Sequence, residues 1–169
     1  MDWYVIFVES GKEEVVQKWL SFHFEKKILH SMIPKRRLKE KRNGNVYNIA
    51  RPLFPGYVFI RTTMDLDKYR TIKSIPHLIK ILSTDSYYSK ISNEEMYVIH
   101  KLMNDDGTIE CSKVFIENSN VYVKAGPLCC MEGIIKKINK HTNRAKILLD
   151  FMGEPRLIDV GIEVLYKLE

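Results

Sequence analysis

The run Pro52-Leu53-Phe54-Pro55-Gly56-Tyr57-Val58-Phe59-Ile60 constrains this chain more than any other segment. Pro52 and Pro55 bound a short turn, and four bulky apolar residues follow it. Strand alternation puts Tyr57 and Phe59 on one face of a sheet and Val58 and Ile60 on the other. Both faces are apolar, so each needs cover. The run is also the longest stretch free of charged side chains, about half of the ~20 apolar residues that a membrane-spanning helix needs. No membrane partner is expected. Asp2 stands where a signal peptide would carry its basic start, which points to the cytoplasm.

Around this centre the pattern is mixed. Trp3 to Val8 is aromatic and β-branched and reads as a buried strand. Ser10 with Glu13 three residues later has the capping-box spacing and predicts a helix in which Val15, Val16, Trp19 and Leu20 share a face, with Lys26 and Lys27 at its C-terminal end. Asn43-Gly44 sits between two extended arms and predicts a tight hairpin. Asp65 to Ser74 reads as a helix, His77 to Leu82 as a strand, and Asn93 to Met103 as a helix capped by Ser92 and Glu95. This order predicts an α+β fold: a sandwich of helices over one antiparallel sheet, filling residues 1–104.

Residues 105–120 are polar and turn-rich, with one strand at Lys113 to Ile116, and read as a linker. Beyond them, Val121–Lys124, Gly133–Ile138, Ala145–Phe151, Arg156–Val160 and Glu163–Lys167 are short strands separated by turn residues. Five strands in so short a span predict a small SH3-like β-barrel over 121–169, since closing a sheet removes its edges.

Charge is concentrated. Lys35, Arg36, Arg37, Lys39, Lys41, Arg42 and Arg51 face only Glu40, a surplus equal to the +6 of the whole chain. Such a hairpin suits contact with phosphate backbones, and equally a solubilising loop. In the barrel, Lys136, Lys137, Lys140, His141 and Arg144 gather around one turn with Arg156 nearby, a pattern that suits an RNA hairpin or a charged barrel edge. The five histidines and three cysteines show no metal-ligand spacing, so no metal and no cofactor are expected. Cys129 or Cys130 with His141 would be the one thiol and base pair for an enzyme, but no third residue orients them.

Trp3-Tyr4-Val5-Ile6, the Phe54-Pro55-Gly56-Tyr57 block, and Val121–Val123 with Gly126-Pro127 and Gly133 together resemble the NusG family of transcription elongation factors, across nearly the whole chain. The resemblance implies an N-terminal NusG-type domain, a C-terminal KOW barrel, a non-catalytic role and a monomer. It further implies docking on the clamp coiled coil of RNA polymerase through an aromatic pocket formed here by Phe7, Phe54, Pro55 and Tyr57, with core filling as the other reading of these rings. The basic hairpin falls where family members approach upstream DNA and the polymerase surface.

Two departures stand out. Ser74-Ile75 occupies the place of the Asn-Thr pair with which pausing members read DNA, and Met152 replaces the exposed Phe that binds Rho or a ribosomal protein. The segment from Gly126 to Gly133, with the basic turn after it, is most similar to specialised paralogues that promote terminator readthrough and bind a leader RNA hairpin through the barrel. A nascent RNA hairpin is the partner this implies. A general factor acting on pausing and coupling to Rho or the ribosome is the alternative.

Overall fold

The protein was analysed as a computed structural model that describes residues 1–83 and 88–166. In chain order, the first elements are β1 (Asp2–Val8), α1 (Glu13–His23), β2 (Leu29–Met32), β3 (Lys35–Arg42), β4 (Asn45–Pro52) and β5 (Tyr57–Thr62). There follow α2 (Leu66–Lys73), β6 (Leu78–Ile81), α3 (Asn93–Leu102), β7 (Thr108–Ile109), β8 (Ser112–Glu117) and β9 (Asn120–Ala125). A 3-10 turn at Glu132–Ile134 leads into β10 (Ile135–Asn139), β11 (Arg144–Phe151) and β12 (Glu154–Leu165). Contacts divide the chain into two units, Met1–Pro34 with Phe54–Met96, and Lys35–Leu53 with Tyr97–Glu169.

In the first unit, the sheet runs β2-β5-β1-β6 with antiparallel neighbours. The register sets Tyr4 opposite Ile60 and Ile6 opposite Val58. Those four residues join Val16 and Leu20 of α1 and Ile72 of α2 in one buried cluster, so the face read as Val58 and Ile60 is the one the helices cover. On the other face, Phe7 pairs with Tyr57 and Val5 with Phe59. Ser92 and Glu95 form the expected capping box: the Glu95 amide donates to Ser92 Oγ at 3.1 Å and the Ser92 amide to the Glu95 carboxylate at 3.2 Å.

The predicted capping box on α1 is absent. Ser10 lies in a turn before the helix, Lys12 occupies the N-cap position without a side-chain cap, and α1 ends at His23, short of Lys26 and Lys27. The turn forms because the Lys12 amide donates to the Glu9 carbonyl at 3.0 Å, with Gly11 at φ +86°.

In the second unit, β3 and β4 form the expected hairpin, with Asn43 at φ +50° and Gly44 at φ +82°. β3 also pairs in parallel with β7. The larger sheet is five-stranded and curled, in the order β10-β11-β12-β8-β9, with β12 and β8 parallel and the rest antiparallel. Ala145, Ile147, Leu149 and Phe151 line its buried side. Residues 105–120, expected to form a linker, thus hold β7 and β8, and β8 is a member of the barrel sheet.

A second difference concerns Gly161, expected to break a strand. β12 runs straight through it, because the glycine is needed for close approach rather than for a turn. A Cβ there would lie 2.3 Å from the Arg37 carbonyl oxygen and 2.6 Å from Cys111 Sγ. Lys167, at the end of the last predicted strand, falls outside the described residues.

Candidate functional site

Three candidate surfaces emerge, each within one unit. The first is built on the turn from Phe54 to Tyr57, closed by the Tyr57 amide donating to the Phe54 carbonyl at 3.1 Å. Pro55 and Gly56 are its central residues, and Gly56 has φ +84°, the pairing a type II turn favours. Two further bonds fix the glycine. Its carbonyl accepts from the Val8 amide at 2.8 Å, and its own amide donates to Glu13 Oε1 at 2.7 Å. A Cβ on Gly56 would meet Phe7 Cε2 at 2.8 Å, so the missing side chain is what lets the Phe7 ring lie against the turn.

Phe7 and Tyr57, both half-buried, bring their ring centroids within 5.0 Å at an interplanar angle of 36°. Pro55 is exposed beside them. Phe54 points differently: it is 4% exposed and its ring lies 5.8 Å from that of the fully buried Phe59. Phe7, Pro55 and Tyr57 therefore form the accessible part of the predicted set, while Phe54 is a core residue packed beside Phe59.

Glu13 is the residue that sequence reasoning assigned to a different task. It is buried at 4% exposure, and its carboxylate serves the Gly56 amide instead of the α1 N-terminus. Its capping-box spacing was the misleading signal. A buried carboxylate needs such a partner, and an amide whose carbonyl already bonds to β1 supplies it.

The second surface is the basic hairpin, and most of its charge is engaged. Glu40 accepts from Arg51 at 2.9 and 3.0 Å and from Arg42 at 3.2 Å. These two guanidinium groups hold its carboxyl well below the usual range, at about 2. Arg37 donates twice to Glu110, at 3.3 and 3.2 Å, and the Arg36 guanidinium donates to the Asp159 carbonyl oxygen. Burial pushes the pKa of Arg36 down, with Asp159 opposing and nearby Arg144 adding to the shift. Lys39 and Lys41 share a strand face with Lys35 and Arg37 and make no ion pair among the described residues.

The third surface is the barrel turn. Lys137 sits opposite Lys146 and Asn139 opposite Arg144, so Lys137, Arg144 and Lys146 share the outer face, while Lys140 and His141 are exposed in the turn between the strands. Asp159 partly offsets this patch by pairing with Lys146 at 3.1 Å. Lys136 falls at a bulge and donates to the Gly133 carbonyl at 3.2 Å. Arg156 is set apart. It pairs with Leu149, on the face that carries Phe151, and its guanidinium lies 5.1 Å from the centre of the Phe151 ring.

The cysteines show no sign of an activated thiol. Cys129 and Cys130 are exposed with sulfurs 4.0 Å apart, and the contact with Cys130 raises the Cys129 pKa, the opposite of what a nucleophile requires. Met152 at φ +54° and Gly153 at φ +77° form the β11–β12 turn. No helix among the described residues is long and apolar enough to cross a membrane.

An antiparallel sheet backed by helices, a pinned Phe-Pro-Gly-Tyr turn and a basic five-stranded barrel define a two-module binding protein. Residues 1–100 match the family described as Transcription termination factor nusG, and the chain belongs to the NusG family. It is a transcription termination/antitermination factor of that family, whose members are transcription factors and not enzymes. The chain is 25% identical to the transcription termination/antitermination protein NusG of Halalkalibacterium halodurans, over 99% of this chain and 98% of that protein. It is 24% identical to NusG of Escherichia coli K12, over 98% of this chain and 95% of that one. Among solved structures, NusG of Thermotoga maritima, in a study of its domain interaction, superposes with a TM-score of 0.59 at 22% identity, covering 95% of this chain and 93% of that one, which supports the fold.

Proposed function

We propose that this factor binds RNA polymerase through the surface of Phe7, Pro55 and Tyr57, and promotes readthrough of terminators after recruitment by a nascent leader RNA hairpin. The observation that carries the polymerase contact is the Glu13 to Gly56 hydrogen bond, which holds a solvent-facing aromatic pair on a rigid turn. The tip of the polymerase clamp coiled coil offers apolar side chains, and a preset aromatic surface buries them without first ordering a loop.

The RNA contact belongs to Lys137, Lys140, His141 and Arg144, with Lys136 at its edge. Their clustering around one exposed turn supports it. The same segment resembles the specialised NusG paralogues known as LoaP, and that resemblance supports recruitment by RNA. Arg156, held over Phe151, stands outside this surface. The hairpin offers Lys39 and Lys41 for a weaker contact with upstream DNA. Two tethered contacts raise the effective concentration of each site, so neither needs high affinity alone.

Single-round transcription with purified RNA polymerase, on a terminator template with and without a leader hairpin, tests the reading. Readthrough that needs the hairpin is the expected outcome. Readthrough or pausing effects that ignore the hairpin would point instead to a general NusG factor, and absence of polymerase binding would overturn the proposal.

A further inference from the structure

The outer face of the β8–β9 hairpin carries an aromatic group that no sequence signal singled out. Phe115 and Tyr122 are direct cross-strand partners, with ring centroids 6.4 Å apart at an interplanar angle of 36°. Their neighbours in sequence, Val114 and Val123, turn inward and are buried, so the register forces both rings outward. Tyr122 is 47% exposed, and Tyr166, just past the end of β12, is 78% exposed.

Cations are interleaved with these rings. Lys124 Nζ lies 5.9 Å from the centre of the Phe115 ring. Phe115, Leu165 and Tyr166 line a cleft of about 180 Å³ together with Lys140, which comes from the basic β10–β11 turn; Glu117 is the one acid on its wall. The aromatic patch and the basic turn are therefore continuous. A cross-strand aromatic pair beside lysines adds some sheet stability, and rings that stay accessible among cations are also what unpaired nucleotides require. Bases stack on the rings and phosphates meet the ammonium groups.

We infer that Phe115 and Tyr122, with Tyr166 at the side, form a stacking platform for unpaired loop bases of an RNA whose phosphates are held by Lys140 and Lys124. The inference rests on the RNA-binding function proposed for the barrel and adds to it a part that recognises the loop rather than the stem. It also separates two energetic contributions: the lysine contacts are salt-dependent and shared by any RNA stem, while stacking disappears when the loop bases are removed.

The test uses the full chain and two probes, a pool of RNA stem-loops with randomised loops on one stem, and the same stem closed by a polyether linker that carries no bases. Stacking tolerates sequence, so a randomised pool serves without a defined target sequence. Tyr122→Ala is expected to weaken binding of the pool by about 5- to 150-fold, to leave the linker-closed stem unchanged, and to be rescued by Tyr122→Phe. Tyr166→Ala, at a position further from the sheet, is expected to act in the same direction. Equal binding of the two probes by the wild type, or no effect of either alanine variant on the pool while Lys140→Gln weakens both probes, would overturn the platform and leave the RNA reading standing. A wild type that binds neither probe would overturn both.

Discussion

The Glu13 carboxylate accepts a 2.7 Å hydrogen bond from the Gly56 amide, joining the first turn of α1 to a turn more than forty residues away in the chain. A helix and the start of an inner strand are thereby locked in one geometry, and the Phe7 and Tyr57 rings are presented by that junction. Removing the acceptor is expected to destabilise the fold by about 1–3 kcal/mol, since the amide stays buried without a partner. Denaturant unfolding of Glu13→Ala checks this, and Glu13→Gln, which keeps an oxygen acceptor, is expected to lose less. An unfolding midpoint unchanged in both variants would refute the structural role of this bond.

Gly56 should tolerate no side chain. Its φ of +84° costs an L-residue about 1–2 kcal/mol, and the new methyl group would also collide with the Phe7 ring at 2.8 Å. Gly56→Ala is expected to lower stability and to displace Phe7, weakening polymerase binding beyond what Tyr57→Phe does. Binding to polymerase at wild-type strength would refute the surface.

Gly161 is expected to be equally intolerant for a different reason. Its φ is ordinary, but the Arg37 carbonyl would lie 2.3 Å from a new Cβ, and backbone cannot swing aside as a side-chain end can. Gly161→Ala is therefore expected to destabilise by about 3 kcal/mol or more and to loosen the β3–β4 hairpin from β12. Faster amide hydrogen exchange in residues 35–52 is the signature to look for; unchanged exchange there would count against the account.

The hairpin should show an acid-sensitive contact. Arg51 and Arg42 lower the Glu40 pKa from 4.5 to about 2. Because the folded value is depressed, this contribution is fully present above about pH 4.5 and is lost as pH falls toward 2. An NMR titration of the Glu40 carboxyl is expected to give a midpoint near 2, and Arg51→Gln to return it toward 4.5. A midpoint at 4.5 in the wild type would mean that these contacts do not persist in solution.

Lys137→Gln with Lys140→Gln is expected to weaken RNA binding while leaving polymerase binding unchanged, because both residues are exposed on the barrel. The log-log salt slope should fall by about 0.7–0.9 for each phosphate that is no longer neutralised. A reduced affinity with an unchanged slope would show that the lysines do not touch phosphates.

Much of the architecture was legible in the residues. The Pro-Gly-bounded turn, the strand with two apolar faces, the Asn43-Gly44 hairpin and the Ser92 to Glu95 capping box are local devices whose preferences lie within a few positions of each other. The basic turn of the barrel was legible too, because strand alternation and a turn between Lys137 and Arg144 bring cations together without help from elsewhere. The same local logic misplaced Glu13: S-x-x-E spacing describes a capping box and a buried partner for Gly56 equally well, and only the packing of α1 against the sheet chooses between them.

What the amino-acid order determined by itself was periodicity, turn chemistry and the concentration of charge. Tertiary structure decided what lies far apart in the chain. It set Arg37 and Cys111 against Gly161, and it engaged Arg37 with Glu110 and Arg36 with the Asp159 carbonyl. Each depends on strand register across long loops, where the free energy comes from burying a whole face and not from any pair of neighbours, so no short window of sequence contains it.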